Sequence, residues 1–109
     1  MVEYALRLDS IFGSLADPTR RDILRRVSSQ ELSVSEVAQP YDVSLAAVSK
    51  HLGVLERAQL IVKRRRGKEH LIALSPGAFT DVVSYLRSYQ AFTEANLDSL
   101  EAYLKEGEV

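Results

Sequence analysis

A proline set between two serine caps constrains this chain more than any other feature of its sequence. Ser33-Val34-Ser35-Glu36 has the form of a capping box, in which a serine hydroxyl and a glutamate carboxylate satisfy each other's backbone donors. Pro40 follows soon after and disfavours helical geometry at Gln39, so the helix that opens at Val34 lasts under two turns. Tyr41-Asp42-Val43 turns the chain, and Ser44 caps the next helix. Residues 33–58 therefore read as short helix, turn, helix.

The second of these helices, about Leu45 to Ala58, is the informative one. Leu45, Val48, Leu52 and Leu55 recur at helical spacing and are expected to face the core. The opposite side offers Ala46, Ala47, Ser49, Lys50 and Gly53, which are small residues plus one cation. A merely solvated helix more commonly carries Glu and Lys there. A slim outer face suits the major groove of DNA, which is only roughly 12 Å wide.

A basic hairpin comes next. Leu60-Ile61-Val62-Lys63 and Glu69-His70-Leu71-Ile72-Ala73-Leu74 are strand-prone, and Arg64-Arg65-Arg66-Gly67-Lys68 lies between them with glycine at the bend. Alone, such a hairpin could be an edge whose charges discourage strand pairing between molecules. Following this helix, it reads as the wing of a winged helix-turn-helix, spanning 60–74.

Charge supports the same reading. The net formal charge is −1, but residues 44–74 carry seven Lys/Arg against two Asp/Glu, a net of +5. Residues 1–43 sum to −2 (five against seven) and residues 75–109 to −4 (two against six). A basic segment between acidic ones is a local electrostatic footprint for nucleic acid that the whole-chain average conceals.

The flanks are helical. Tyr4, Ala5, Leu8, Ile11, Phe12 and Leu15 mark an amphipathic first helix within 1–16. Asp17 caps the next and Pro18 suits its first position; Ile23, Leu24 and Val27 form its apolar face, with Arg20, Arg21, Arg25 and Arg26 on a solvated one. Ser75-Pro76 opens a last helix expected to run unbroken to Leu104, with Phe79, Val82, Val83, Leu86, Tyr89, Phe92, Leu97, Leu100 and Tyr103 along its apolar side. A helix of roughly 29 residues spans about 43 Å, more than so small a domain can cover. A second copy is expected to cover the rest, with Tyr4, Leu8, Ile11, Phe12, Phe79, Val83, Leu86, Phe92, Leu97 and Leu100 at the interface.

At 109 residues the chain fits one domain over 1–109, mainly α with a small β-hairpin, in the order α-α-α-α-β-β-α. It holds no cysteine, which removes disulfides, thiolate metal sites and cysteine nucleophiles together. His51 and His70 are the only imidazoles: His51 falls at the edge of the slim helix face, and His70 in a strand. No nucleophile with a base and an orienting group is visible, and no phosphate loop, so the expectation is a protein that is not an enzyme and needs no cofactor. No apolar run reaches the length of a membrane span, and the N-terminus lacks a leader, so a cytoplasmic location is expected.

With these residues in view, the chain resembles the ArsR/SmtB family of repressors over nearly its full length. The matching runs are Leu15-Ala16-Asp17-Pro18-Thr19-Arg20-Arg21, Ser44 through Leu52, and Leu55 through Ile61, of which the second is the most specific. The resemblance implies a homodimeric winged helix-turn-helix repressor that pairs through its first and last helices and binds a palindromic double-stranded DNA operator. One departure matters. Where arsenic- and lead-type members carry Glu-Leu-Cys-Val-Cys, this chain reads Glu31-Leu32-Ser33-Val34-Ser35, and hydroxyls do not replace thiolates for soft metals. Its last helix also lacks the histidine of the zinc-type members, leaving Asp81, Glu94, Asp98 and Glu101 as solvated charge. No metal sensing is expected.

The expected DNA-binding residues are Ser44, Ala46, Ala47, Ser49, Lys50 and His51 on the helix and Arg64, Arg65, Arg66 and Lys68 on the wing. An effector of unknown identity is compatible with this, but Tyr4, Phe79, Tyr85 and Phe92 are assigned to packing rather than to a pocket. The competing class is a winged-helix module that docks proteins without reading DNA. The slim helix face argues against it, since docking helices present larger anchors.

Overall fold

The computed structural model describes residues 2–107; within the last helix the side chains at 92, 93, 95, 97, 100 and 106 lie outside the description. The chain divides into two compact units, Met1–Phe79 and Thr80–Val109.

In the first unit, α1 (Val2–Leu15), α2 (Pro18–Ser29), β1 (Leu32–Ser33), α3 (Val34–Ala38), α4 (Leu45–Arg57), β2 (Ile61–Arg66) and β3 (Glu69–Leu74) follow in order. The caps explain most of these boundaries. The Asp17 carboxylate accepts from Thr19 N at 3.1 Å, with Pro18 at the first turn of α2. Glu36 N donates to Ser33 Oγ at 3.1 Å while Ser33 N donates to Glu36 Oε1 at 2.9 Å, so both halves of the capping box form. Ser44 Oγ accepts from Ala47 N at 3.1 Å and starts α4. The far end of α4 closes in a Schellman arrangement: Leu60 N donates to Leu55 O at 3.0 Å and Gln59 N to Glu56 O at 2.9 Å. Gln59 takes the left-handed conformation this needs (φ 61°), and Leu55 and Leu60, which flank the turn, are both fully buried.

The three strands form one antiparallel sheet in the order β1-β3-β2. β1 was not foreseen from the sequence; its two residues, Leu32 and Ser33, pair with Ile72 and Leu71. β2 and β3 pair from Ile61↔Leu74 to Arg66↔Glu69, which leaves only Gly67 and Lys68 in the turn. Arg64, Arg65 and Arg66 therefore belong to the strand rather than to the loop. Gly67 at φ 62° supplies the left-handed residue that a two-residue hairpin requires. Ile23, Val37, Val48, Leu52, Leu55, Ile61 and Ile72 form the centre of the core.

Two expectations about this unit change. Leu45 lies on the stripe of Val48, Leu52 and Leu55, yet it is 60% exposed. Periodicity fixes the side of a helix but not the depth, and in its first turn the stripe runs past the edge of the core. Leu8 and Ile11, expected to meet a second copy, are 7% and 4% exposed and are buried by the chain itself.

In the second unit, the single helix expected over 76–104 is two: α5 (Thr80–Arg87) and α6 (Gln90–Gly107). Residues 76–79, the end of the first unit, form turns instead of helix, with Gly77 at φ 69°. The break between α5 and α6 lies at Ser88 and Tyr89. There the Ser88 hydroxyl donates to Tyr85 O at 2.6 Å, Ser88 N is shared between Ser84 O and Tyr85 O, and Tyr89 N bonds Leu86 O. Serine competing for the preceding carbonyls in this way disrupts the helical ladder. The rings of Tyr85 and Tyr89 pack edge to face, 5.3 Å between centroids, across the break.

Candidate nucleic-acid interface

The interface expected from the sequence has two parts, α4 and the β2–β3 wing. On α4, Ser44, Ala46, Ser49 and Lys50 are exposed and Ala47 is half-buried, while Val48, Leu52 and Leu55 anchor the other side. The Ser44 hydroxyl is committed to the helix cap, so its contribution to a ligand is through position rather than its side chain. His51 is half-buried and turned toward the corner of α1 and α2: its Nδ1 lies 3.4 Å from Arg20 Nη1 and 3.8 Å from an Asp17 carboxylate oxygen.

The wing cations are not equivalent. Arg64 forms a two-pronged pair with Glu31, Nε to Oε2 at 2.6 Å and Nη2 to Oε1 at 3.0 Å. Each partner stabilises the charged form of the other, so this hydrogen bond holds the Glu31 carboxyl below its usual range and raises Arg64. Arg65 Nε donates to Gly67 O at 3.1 Å within its own turn. Arg66 and Lys68 are exposed and make no hydrogen bond or ion pair with the described residues. Glu31 was missed in the sequence. It immediately precedes β1, two residues before Ser33, and register puts Ser33 and Arg64 opposite the same residue, Leu71.

Of the α2 arginines, Arg21 and Arg25 are exposed and Arg20 and Arg26 half-buried, and all four make hydrogen bonds. Arg20 donates to the carbonyls of Ser14 (2.7 Å) and Gly13 (3.2 Å), and Arg21 to that of Leu15 (2.7 Å), all in the last turn of α1, where carbonyls run out of helical partners. Arg26 does the same for α3, reaching Glu36 O at 2.7 Å and Val37 O at 2.8 Å with its guanidinium over the Tyr41 ring. Arg25 pairs with Asp22 at 2.6 Å, and the Tyr41 hydroxyl donates to the other Asp22 oxygen at 2.6 Å. The Tyr41 hydrogen bond and Arg25 hold the Asp22 carboxyl below its ordinary value. Burial, reinforced by that anion, pushes the Tyr41 hydroxyl up.

Serine positions 33 and 35, where metal-sensing relatives carry cysteine, are built as a helix start, and Ser33 Oγ is occupied by Glu36 N. Among the described residues no group of three or more His, Cys, Asp or Glu side chains comes together as a metal-binding set. No helix among them is long and apolar enough to cross a membrane.

A capped reading helix with a small-residue face beside a basic two-stranded wing defines a winged helix-turn-helix protein. Comparison with known proteins agrees: a helix-turn-helix domain family matches residues 15–64. The HTH-type transcriptional regulator YuzN of Bacillus subtilis is 41% identical over 71 residues, 59% of this chain and 77% of that protein. The transcriptional repressor SdpR of Bacillus subtilis is 24% identical over 82 residues, 75% of this chain and 91% of SdpR. The crystal structure of the ArsR family transcriptional regulator RHA00566 superposes with a TM-score of 0.76 at 37% identity, covering 83% of this chain and 93% of that one. The chain belongs to the ArsR/SmtB family of winged helix-turn-helix regulators and is a DNA-binding transcriptional regulator. That family is one of DNA-binding regulators rather than enzymes.

Proposed function

We propose that the protein is a homodimeric repressor that binds a palindromic operator, with α4 in the major groove and the wing on the backbone beside it. The observation that carries this is the pairing of a small, largely exposed α4 face with Arg66 and Lys68, exposed wing cations that form no hydrogen bond or salt bridge with the described residues. Ala46, Ala47, Ser49 and Lys50 approach base edges, where selectivity arises, and Arg65, Arg66 and Lys68 hold phosphates, which supply salt-dependent affinity. Arg64 joins them only at the expense of its pair with Glu31.

Pairing of two copies is supported by apolar side chains that each unit leaves exposed. On α1 these are Val2, Leu6 and Phe12; on the second unit they are Val83, Leu86, Tyr89, Tyr103 and Leu104. Apolar surface of this kind marks an interaction site. Leu8 and Ile11 drop out of the interface as buried residues, and Tyr4 and Phe79 are half-buried. The side chains of Phe92, Leu97 and Leu100 lie outside the described ones. Acting on the genome without catalysis or a cofactor, the protein works in the cytoplasm.

The test is selection of bound fragments from genomic DNA, followed by titration of an enriched duplex at two salt concentrations and measurement of molar mass with and without DNA. An enriched palindrome, a steep salt slope and a dimer are expected. Binding that is indifferent to sequence, or one chain per site, overturns the reading. Release of the enriched duplex by a metabolite would identify an effector.

A further inference from the structure

The N-terminal end of α4 leaves two branched aliphatic side chains in solvent: Val43 is 51% exposed and Leu45 60%. Both positions admit polar residues at no steric cost, since neither is enclosed. They line a shallow groove with Ser35, Glu36, Ala38 and Gln39. Side chains on a helix tilt toward its N-terminus, so Leu45, in the first turn, projects ahead of the helix rather than beside it. The N-terminal residues of a reading helix are the ones that reach base edges.

Resting on the proposed operator binding, we infer that Leu45, assisted by Val43, selects thymine in the operator through its C5 methyl group. Neither side chain can donate or accept a hydrogen bond, so apolar contact is the only base readout open to them. Thymine alone among the four bases presents a methyl group in the major groove. A phosphate is a poor occupant of the same groove, because Glu36 is held in its charged form by the Ser33 amide and hydroxyl. A neutral base edge meets no such repulsion, and the surrounding duplex is drawn in by the +5 segment that contains α4 and the wing.

The experiment uses the full chain and an operator duplex selected as above. Each thymine is replaced singly by uracil, which keeps every hydrogen-bonding group and lacks only the methyl, and affinity is measured by fluorescence anisotropy. For the wild type, uracil at one or two positions per half-site weakens binding about fourfold, the worth of one buried methyl. In Leu45→Ala, those positions no longer distinguish thymine from uracil. Leu45→Gln, which can pair with adenine, shifts the preferred base there in a repeated selection. Because Leu45 is exposed, both variants are expected to keep the wild-type melting temperature, and a thermal scan checks this.

A wild type indifferent to uracil everywhere, while still binding its selected site, overturns the thymine assignment and leaves the repressor reading standing. A thymine-to-uracil ratio unchanged in Leu45→Ala overturns it equally, and shows that the exposed pair serves another partner. Failure to enrich any site overturns the operator reading itself, and this inference with it.

Discussion

The four arginines of α2 and the three of β2 are the same residue type put to different uses, and their surroundings decide which. Arg20, Arg21 and Arg26 face last-turn carbonyls at the ends of α1 and α3, and their guanidinium forks serve as helix caps. The β2 arginines stand on a strand that is exposed from Val62 onward, where no helix end is at hand. There Arg64 finds a carboxylate, Arg65 its own turn and Arg66 no hydrogen-bonding partner among the described residues. The arginines of α2 and β2 thus divide into cations that build the fold and cations that remain available to phosphate.

The largest effect expected from this contrast is at Arg20. Its side chain is only 17% exposed and serves two carbonyls of α1 while approaching Asp17 and His51. Arg20→Ala should destabilise the fold by about 2 kcal/mol, the range for hydrogen bonds to charged groups. In a thermal scan this is a fall of roughly 10 °C for a domain of this size. Arg20→Lys should recover little, because an ammonium cannot reproduce the fork. A variant that melts like the wild type but binds DNA weakly would break the distinction, placing Arg20 with the wing.

A second, pH-dependent effect comes from the acids that the arginines and caps engage. The Asp22, Glu31 and Glu36 carboxyls are all held below their ordinary values, by Tyr41 and Arg25, by Arg64, and by the Ser33 amide and hydroxyl. A carboxyl depressed in the folded state contributes stability that is complete above its unfolded value and disappears as pH falls through the folded one. The urea midpoint should therefore hold near neutrality and decline only as pH drops below the ordinary carboxylate range. Asp22→Asn should flatten part of that decline. An unchanged acid limb in Asp22→Asn would mean that the Tyr41–Asp22–Arg25 group contributes nothing to it.

The wing should respond in the opposite manner. Arg66→Ala and Lys68→Ala should leave the melting temperature within about 3 °C, as exposed substitutions do. Each should weaken DNA binding several-fold across all sequences and lower the salt slope by about 1. Anisotropy titrations at three salt concentrations read both quantities. A loss confined to one base pair, with the salt slope intact, would move the residue from backbone to base readout.

Much of this division was not legible in the sequence, and the reason is distance along the chain. The caps at Asp17, Ser33 and Ser44 were readable because donor and acceptor lie within three residues. The hairpin was readable from Gly67 between strand-prone runs. Arg26 and its carbonyl partners are ten and eleven residues apart, and Arg64 and Glu31 thirty-three, so no local pattern announces them. The stripe of apolar residues continues through Ser88 and Tyr89, which hid the break between α5 and α6 because the interruption is made by a serine hydroxyl. Leu45 was misplaced for a related reason: spacing gave its side of α4 correctly, but only the packed core shows where that side ends. At the candidate interface, the sequence reading proposed α4 and the wing, and the structure sets apart Arg64, which is exposed but paired with Glu31, and His51, which is half-buried.

The smallest expected effect is also the sharpest test of how the two sets of arginines differ. Arg64 is exposed like Arg66, yet its guanidinium is held by Glu31 in the same two-pronged geometry it would offer a phosphate. If availability is what separates wing from scaffold, releasing Arg64 should convert it to a DNA contact. Glu31→Gln keeps the shape and removes the charge. Its affinity for the selected operator should rise about threefold at low salt, and the salt slope should steepen by roughly 0.9, one additional phosphate. Because the pair is exposed at the base of the wing, stability should scarcely change. In Glu31→Gln/Arg64→Ala the gain should vanish, which separates release of Arg64 from simple loss of a negative charge near the operator. If the double variant keeps the tighter binding, Glu31 acts only through long-range repulsion, and Arg64 belongs with the arginines of α2 as a residue of the fold.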